Sequence, residues 1–177
     1  MGCMEGRRTL IVGAASPIGS EIMRAFVGSG AMVLAVDATD EKIEAAVEAL
    51  GMADSDQVIT RELDESDLGS WWDLANLVDA FFDELDVFVY IPKIDTADSL
   101  SMAIDRLKQS LLNADQANPG GVSIVVISTS AEEPVNAAAG EFAREGSNIR
   151  VNALQPGAPN DVVAAVIEIV SGQGSAS

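Results

Sequence analysis

The chain has 177 residues, 48% of them hydrophobic, enough for one domain with a substantial core. A formal net charge of -18 argues against a nucleic-acid or anionic-lipid partner, whose phosphates call for Lys and Arg. There is no histidine, which rules out His-based catalysis and His metal sites, so no metal is expected, and the one cysteine, Cys3, allows no internal disulfide.

A reducing cytoplasm is the default compartment for such cysteine usage. The start MGCMEG has Gly6 where a myristoylation signal wants a hydroxyl residue, and no basic leader with an apolar core follows it. No apolar run is long enough to cross a bilayer, so no membrane association is expected.

The first periodic segment is TLIVGAASPIGSEIMRAFVGSGAMVLAVD, Thr9 to Asp37. Thr9 to Val12 reads as a short buried strand and Gly13 as a tight turn. A helix with Ile22, Met23, Phe26 and Val27 on one face follows, stopped by Ser29 and Gly30. Ala31 to Val36 is a second strand, ending in Asp37. Strand, glycine turn, helix, strand and terminal acid form the first unit of a dinucleotide-binding fold. Gly13, Ser16, Pro17, Ile18 and Gly19 form the candidate phosphate turn, at a helix N-terminus whose dipole favours a pyrophosphate. Pro17 suits the first helical turn but takes one N–H from that cradle. Asp37 stands where an acid accepts hydrogen bonds from a ribose, which favours NAD over NADP.

Thr39 and Asp40 can cap a helix running to Leu50, with Gly51 as its stop. Val58 to Leu63 reads as the third strand. Ser66 or Asp67 can cap the next helix, which carries Leu68, Trp71, Trp72, Leu74, Leu77, Val78, Phe81 and Phe82. The two tryptophans read as core or interface rather than as a ligand platform. Asp86 to Ile91 is the fourth strand, and Leu100, Ile104, Leu107 and Leu111 make the stripe of the following helix. Ser123 to Ile127 is the fifth strand, Ala137 to Arg144 a short helix, and Ile149 to Leu154 the sixth strand. Asp161 caps a final helix, Val162 to Val170, and residues 171–177 are a loose tail. Apolar strands alternating with helices specify an α/β protein. It is a single Rossmann-like domain, residues 1–177, built on a doubly wound parallel sheet of about six strands in the order 3-2-1-4-5-6, with helices on both faces.

Six segments, in order, resemble the short-chain dehydrogenase/reductase family: IVGAASPIG (its T-G-x-x-x-G-I-G turn), LDES with Asp64, LDVFVYIPKI, GVSIVVISTSA, SNIRVNALQPG and NDVVAAVIEIVSG. The resemblance implies a dinucleotide cofactor, with Asp64 meeting the adenine and Pro156-Gly157 closing the last strand of the site. It places the catalytic serine at Thr129, beside Ser128 and Ser130. It also implies a homo-oligomer paired through helices after the fourth and fifth strands, with Leu100, Ile104, Leu107 and Leu111 as a candidate face.

The departures bear on chemistry. The family's Y-x-x-x-K pair protonates a carbonyl and binds the ribose. Here an ungapped count puts Phe142 and Gly146 in those places, the stretch between Ser130 and Arg150 is shortened, and the substrate lid and closing strand are missing. Tyr90, the only tyrosine, lies three residues before Lys93 at the end of a strand, where such folds place their chemistry. It is either a relocated acid pair or a packed tyrosine beside a solvated lysine. Three classes stay open: an active NAD-dependent oxidoreductase using Tyr90 and Lys93 or Thr129, an NAD(H)-binding regulatory protein, and a scaffold binding no nucleotide. The sequence favours weak NAD(H) binding with little carbonyl reduction.

Overall fold

A computed structural model describes residues 2–81 and 85–172. The element order is β1 (Arg8–Val12), α1 (Pro17–Gly28), β2 (Met32–Asp37), α2 (Asp40–Ala49), β3 (Val58–Glu62), α3 (Leu68–Phe81), β4 (Val87–Tyr90), α4 (Ala97–Ala117), β5 (Ser123–Ile127), α5 (Glu132–Arg144), β6 (Arg150–Leu154) and α6 (Pro159–Val170). All strand pairs are parallel and the sheet order is β3-β2-β1-β4-β5-β6, as the alternation of apolar runs requires. Phe82 and residues 173–177 of the expected tail lie outside the described residues. Ser171 and Gly172 close α6 through N–H groups donated to Ile167 and Ile169 carbonyls.

Side chains alternate across the sheet, so each strand feeds two cores. Leu10, Val12, Leu34, Val36, Phe88, Tyr90, Ile124 and Val126 face α3, α4 and α5. Ile11, Val33, Ala35, Val87, Val89, Val125 and Ile127 face α1, α2 and α6. Both faces of the four central strands are covered, which is why β2, β1, β4 and β5 are mainly apolar, while the edge strands β3 and β6 carry Arg61, Glu62, Arg150 and Asn152.

Several boundaries move, for local reasons. Asp67 caps α3, accepting from the N–H groups of Gly69 and Ser70, while Ser66 turns its hydroxyl to Asp64. The helix α5 begins at Glu132 rather than Ala137; its N-cap, Ala131, has no capping side chain and left no signal in the sequence. The helix α6 begins at Pro159, so Asp161 sits inside its first turn rather than capping it, and still complements the dipole there. Trp71 is buried, but Trp72 is 63% exposed. The stripe Leu100, Ile104, Leu107 and Leu111 is at most 5% exposed and packs on the sheet of its own chain, so it is not a face for pairing. Among the described residues no helix is long and apolar enough to cross a membrane.

Candidate functional site

The order reverses between β1 and β4, and a crevice opens at their carboxyl ends. Gly13 bonds from its N–H to the Val36 carbonyl with φ of +88°, and an added Cβ would stand 2.4 Å from the Ile91 carbonyl oxygen. A Cβ at Gly19 would stand 2.1 Å from the Gly13 carbonyl oxygen. Both glycines are therefore demanded by close backbone approach. Ser16 caps α1, accepting from the Gly19 N–H at 3.0 Å and donating to the Gly13 carbonyl at 2.7 Å. Pro17 begins the helix.

The turn keeps most of its donors for itself. Gly13 and Ala14 donate to the Val36 carbonyl, Ala15 to Asp37 Oδ2 at 2.9 Å, Ser16 to the Gly13 carbonyl and Ser20 to the Ser16 carbonyl. With Gly19 bound to the cap and Pro17 without an N–H, Ile18 alone offers an unpaired N–H among residues 13–20. Asp37 is fixed by that Ala15 bond and by the Ala38 N–H at 2.7 Å.

The cleft at this crevice, about 630 Å³, is walled by Gly13, Ala15, Ser16, Ser20, Asp37, Lys42, Ala45, Ala46, Glu65, Ile91, Pro92 and Lys93. A neighbouring hollow of about 380 Å³ shares Glu65 and Lys93 and adds Ala38, Thr39, Leu63, Asp64, Ser66 and Ile94. Asp37 and Asp64 thus stand in adjoining spaces. Hydrogen bonds from the Ser66 hydroxyl and N–H hold the Asp64 carboxyl below its ordinary value.

Sequence reasoning missed Glu65, Lys42 and Asp95. Glu65 reaches inward from the residue after Asp64. It accepts from the Tyr90 hydroxyl at 2.8 Å and from the Lys93 N–H at 3.2 Å. Burial pushes its pKa up, against the pull of those two bonds. Tyr90 is wholly buried, edge-on to Trp71 and stacked with Phe88, and burial with the Glu65 charge pushes its pKa far up. Tyr90 and Lys93 therefore do not form an acid pair: both serve Glu65, one through its hydroxyl and the other through its backbone. Lys42, in the first turn of α2, walls the same cleft as Asp37.

At the end of β5, Ser128 is buried and donates its hydroxyl to Asp95 Oδ1, while Thr129 gives Asp95 Oδ2 its hydroxyl at 2.9 Å and its N–H at 3.2 Å. Ser128 Oγ also accepts from the Ser130 N–H. Partial desolvation pushes the Asp95 carboxyl up, but the bonds from Ser128, Thr129 and Ser130 outweigh it and hold the pKa below its ordinary value. Phe142 is buried in the core under α4 and α5. Pro156 and Gly157 are exposed and wall neither hollow.

The sheet order and the switch-point crevice define a doubly wound α/β protein of the Rossmann type. A family model for short chain dehydrogenase matches residues 7–111, and the chain belongs to that family. Its fold is shared by hydroxysteroid dehydrogenase from Escherichia coli (21% identity, TM-score 0.75, 96% of this chain and 91% of that one). A metagenomic short-chain oxidoreductase in complex with NADP gives 20% identity and a TM-score of 0.76 over 96% and 93% of the two chains. A short-chain type dehydrogenase/reductase from Mycobacterium ulcerans gives 17% and 0.76 over 94% and 83%. No curated protein matches the sequence.

Proposed function

We propose that this chain is a nucleotide-binding member of its family that holds NAD(H) weakly, in preference to NADP(H), without the family's carbonyl reduction. The observation that carries the reading is the cleft walled by Gly13 and Asp37, with the glycines packed too closely to admit a side chain. The adenosine half of NAD fits these residues: Asp37 is held ready for ribose hydroxyls and Asp64 stands in the adjoining hollow. The reacting half does not fit, because the Ser128 and Thr129 hydroxyls are committed to Asp95 and Phe142 is in the core.

Titration calorimetry with NAD(H) and NADP(H) tests the reading. Asp37→Ala is expected to weaken NAD binding and narrow the gap to NADP. Tighter binding of NADP by the unaltered chain would overturn the role given to Asp37, and no binding at millimolar nucleotide would favour a scaffold. NADH consumption with a panel of carbonyl compounds would restore the oxidoreductase reading. Self-association now rests on the open edge of β6. A monomer by light scattering at high concentration would remove it. A cytoplasmic location is supported by the single free cysteine.

A further inference from the structure

We propose that the open edge of β3, with the groove between it and α3, is a docking site for an extended basic segment of another protein, which adds a strand to the sheet. This goes beyond nucleotide binding and does not rest on it.

The backbone of β3 is available on one side. The strand ends the sheet, and β2 is its one partner strand among the described residues. The Val33 N–H donates to the Gln57 carbonyl, and the Leu63 N–H to the Asp37 carbonyl. Bonding direction alternates along a parallel strand, so residues 59 and 61 also turn their backbone groups to β2. Thr60 and Glu62 turn theirs outward, and these two sets of donor and acceptor stand about 7 Å apart, one repeat of a strand. The sequence of β3, VITRE, holds neither the proline nor the lysine that commonly guards an edge. An incoming strand pairs with such an edge through its own backbone, and its side chains set the specificity.

The space beside the edge suits a strand. A groove of about 590 Å³ lies between the end of β3 and α3. Leu74, 4% exposed, and half-buried Leu77 line it with apolar surface.

Its charge sets the chemistry of the partner. Glu62, Asp64, Asp67 and Asp73 line the groove, against one cation, Arg61. Among the described residues none of the four carboxylates has a Lys or Arg nitrogen within 4.0 Å. Asp64 is held by Ser66, and Asp67 by Gly69 and Ser70, which leaves Glu62 and Asp73 to meet a visitor. Lysine or arginine on the added strand fits them, with β-branched residues between to cover Leu74 and Leu77.

A second copy of this chain fits worse. Pairing β3 with β3 sets these acids against their like, at a net charge of -18 per chain. The other edge strand, β6, brings a single cation, Arg150, and its guanidinium is already bonded to Ser123 Oγ.

The probe is a fluorescein-labelled peptide, Lys-Val-Lys-Val-Lys-Val-Lys, titrated with the full chain in about 0.15 M salt and followed by anisotropy. The expected result is saturable one-to-one binding. The same peptide N-methylated at two consecutive central residues keeps its charge but loses an N–H that faces β3 in either register, and should bind about tenfold more weakly. In the protein, Thr60→Pro removes an outward N–H and spares the ladder to β2, and should also cost about tenfold. Asp73→Lys reverses a charge on an exposed position of α3 and should cost about fivefold. Circular dichroism checks both folds, and Asp73→Lys with the methylated peptide decides the matter where Thr60→Pro does not fold. No saturation at millimolar peptide, equal binding of the methylated peptide, or unchanged binding by folded Asp73→Lys would overturn the inference. Self-association by light scattering that Thr60→Pro abolishes would overturn it too, and give the edge to a second copy.

Discussion

Replacing Tyr90 by Phe separates a packed tyrosine from a catalytic one. The phenyl ring keeps the edge-on contact with Trp71 at 5.8 Å and the stack on Phe88 at 5.9 Å, so no cavity forms. What is lost is the 2.8 Å bond to Glu65. A hydrogen bond to a charged group is worth about 1.5–3 kcal/mol; because Glu65 also opens on the cleft, about 1–2 kcal/mol is expected here. In a chain of this size that lowers Tm by roughly 2–8 °C. The effect depends on pH. The folded pKa of Glu65 is already raised above 4.5, so its contribution is full below that value and is lost as pH rises through the folded pKa. Removing the Tyr90 bond raises the folded pKa further and deepens the loss at high pH. Urea unfolding at pH 8 and pH 5 should show the larger cost at pH 8. Equal costs at both pH values, or none at pH 8, would refute the coupling between Tyr90 and Glu65.

Other substitutions read other parts of the molecule. Gly13→Ala forces a Cβ to 2.4 Å from a carbonyl at φ of +88°, and thermal unfolding should register about 3 kcal/mol or more of lost stability. Leu107→Ala, at a position 1% exposed, should cost about 2–4 kcal/mol by urea unfolding while leaving the molecular mass by light scattering unchanged. The Asp95 pKa is depressed, so the stability that its bonds to Ser128 and Thr129 contribute is present above the ordinary value and lost as pH falls through the folded one. Ser128→Ala should reduce that acid-side dependence of the unfolding midpoint, and leave the part that the Thr129 hydroxyl and N–H supply.

The fold was legible because apolar runs bounded by Gly13, Gly30, Gly51 and Gly121 leave few ways to alternate strands and helices. The strand register also contained the answer for Tyr90. It is two residues from Phe88 and so shares its buried face, a period-2 fact that the Tyr90–Lys93 spacing obscured. Asp37 was legible from the end of its strand. Asp95 was not, since its partners lie 33 and 34 residues away and no local pattern announces a loop carboxylate turned onto a distant strand. Glu65 was hidden by the acids around it, and Lys42 by its place on a helix that reads as an ordinary exposed one.

The strand order carries a consequence for the way the chain acquires its shape. From β1 the sheet grows one way through β2 and β3, in the order of synthesis, and then returns to β1 before growing the other way through β4, β5 and β6. Until β4 arrives, β1 has one open edge, on a strand with four buried residues. A nascent chain that ends before Val87 therefore exposes an apolar ladder ready to pair with another copy. Closing that edge is a long-range step, Thr9 to Val87, and sets a slow stage during which aggregation competes with folding.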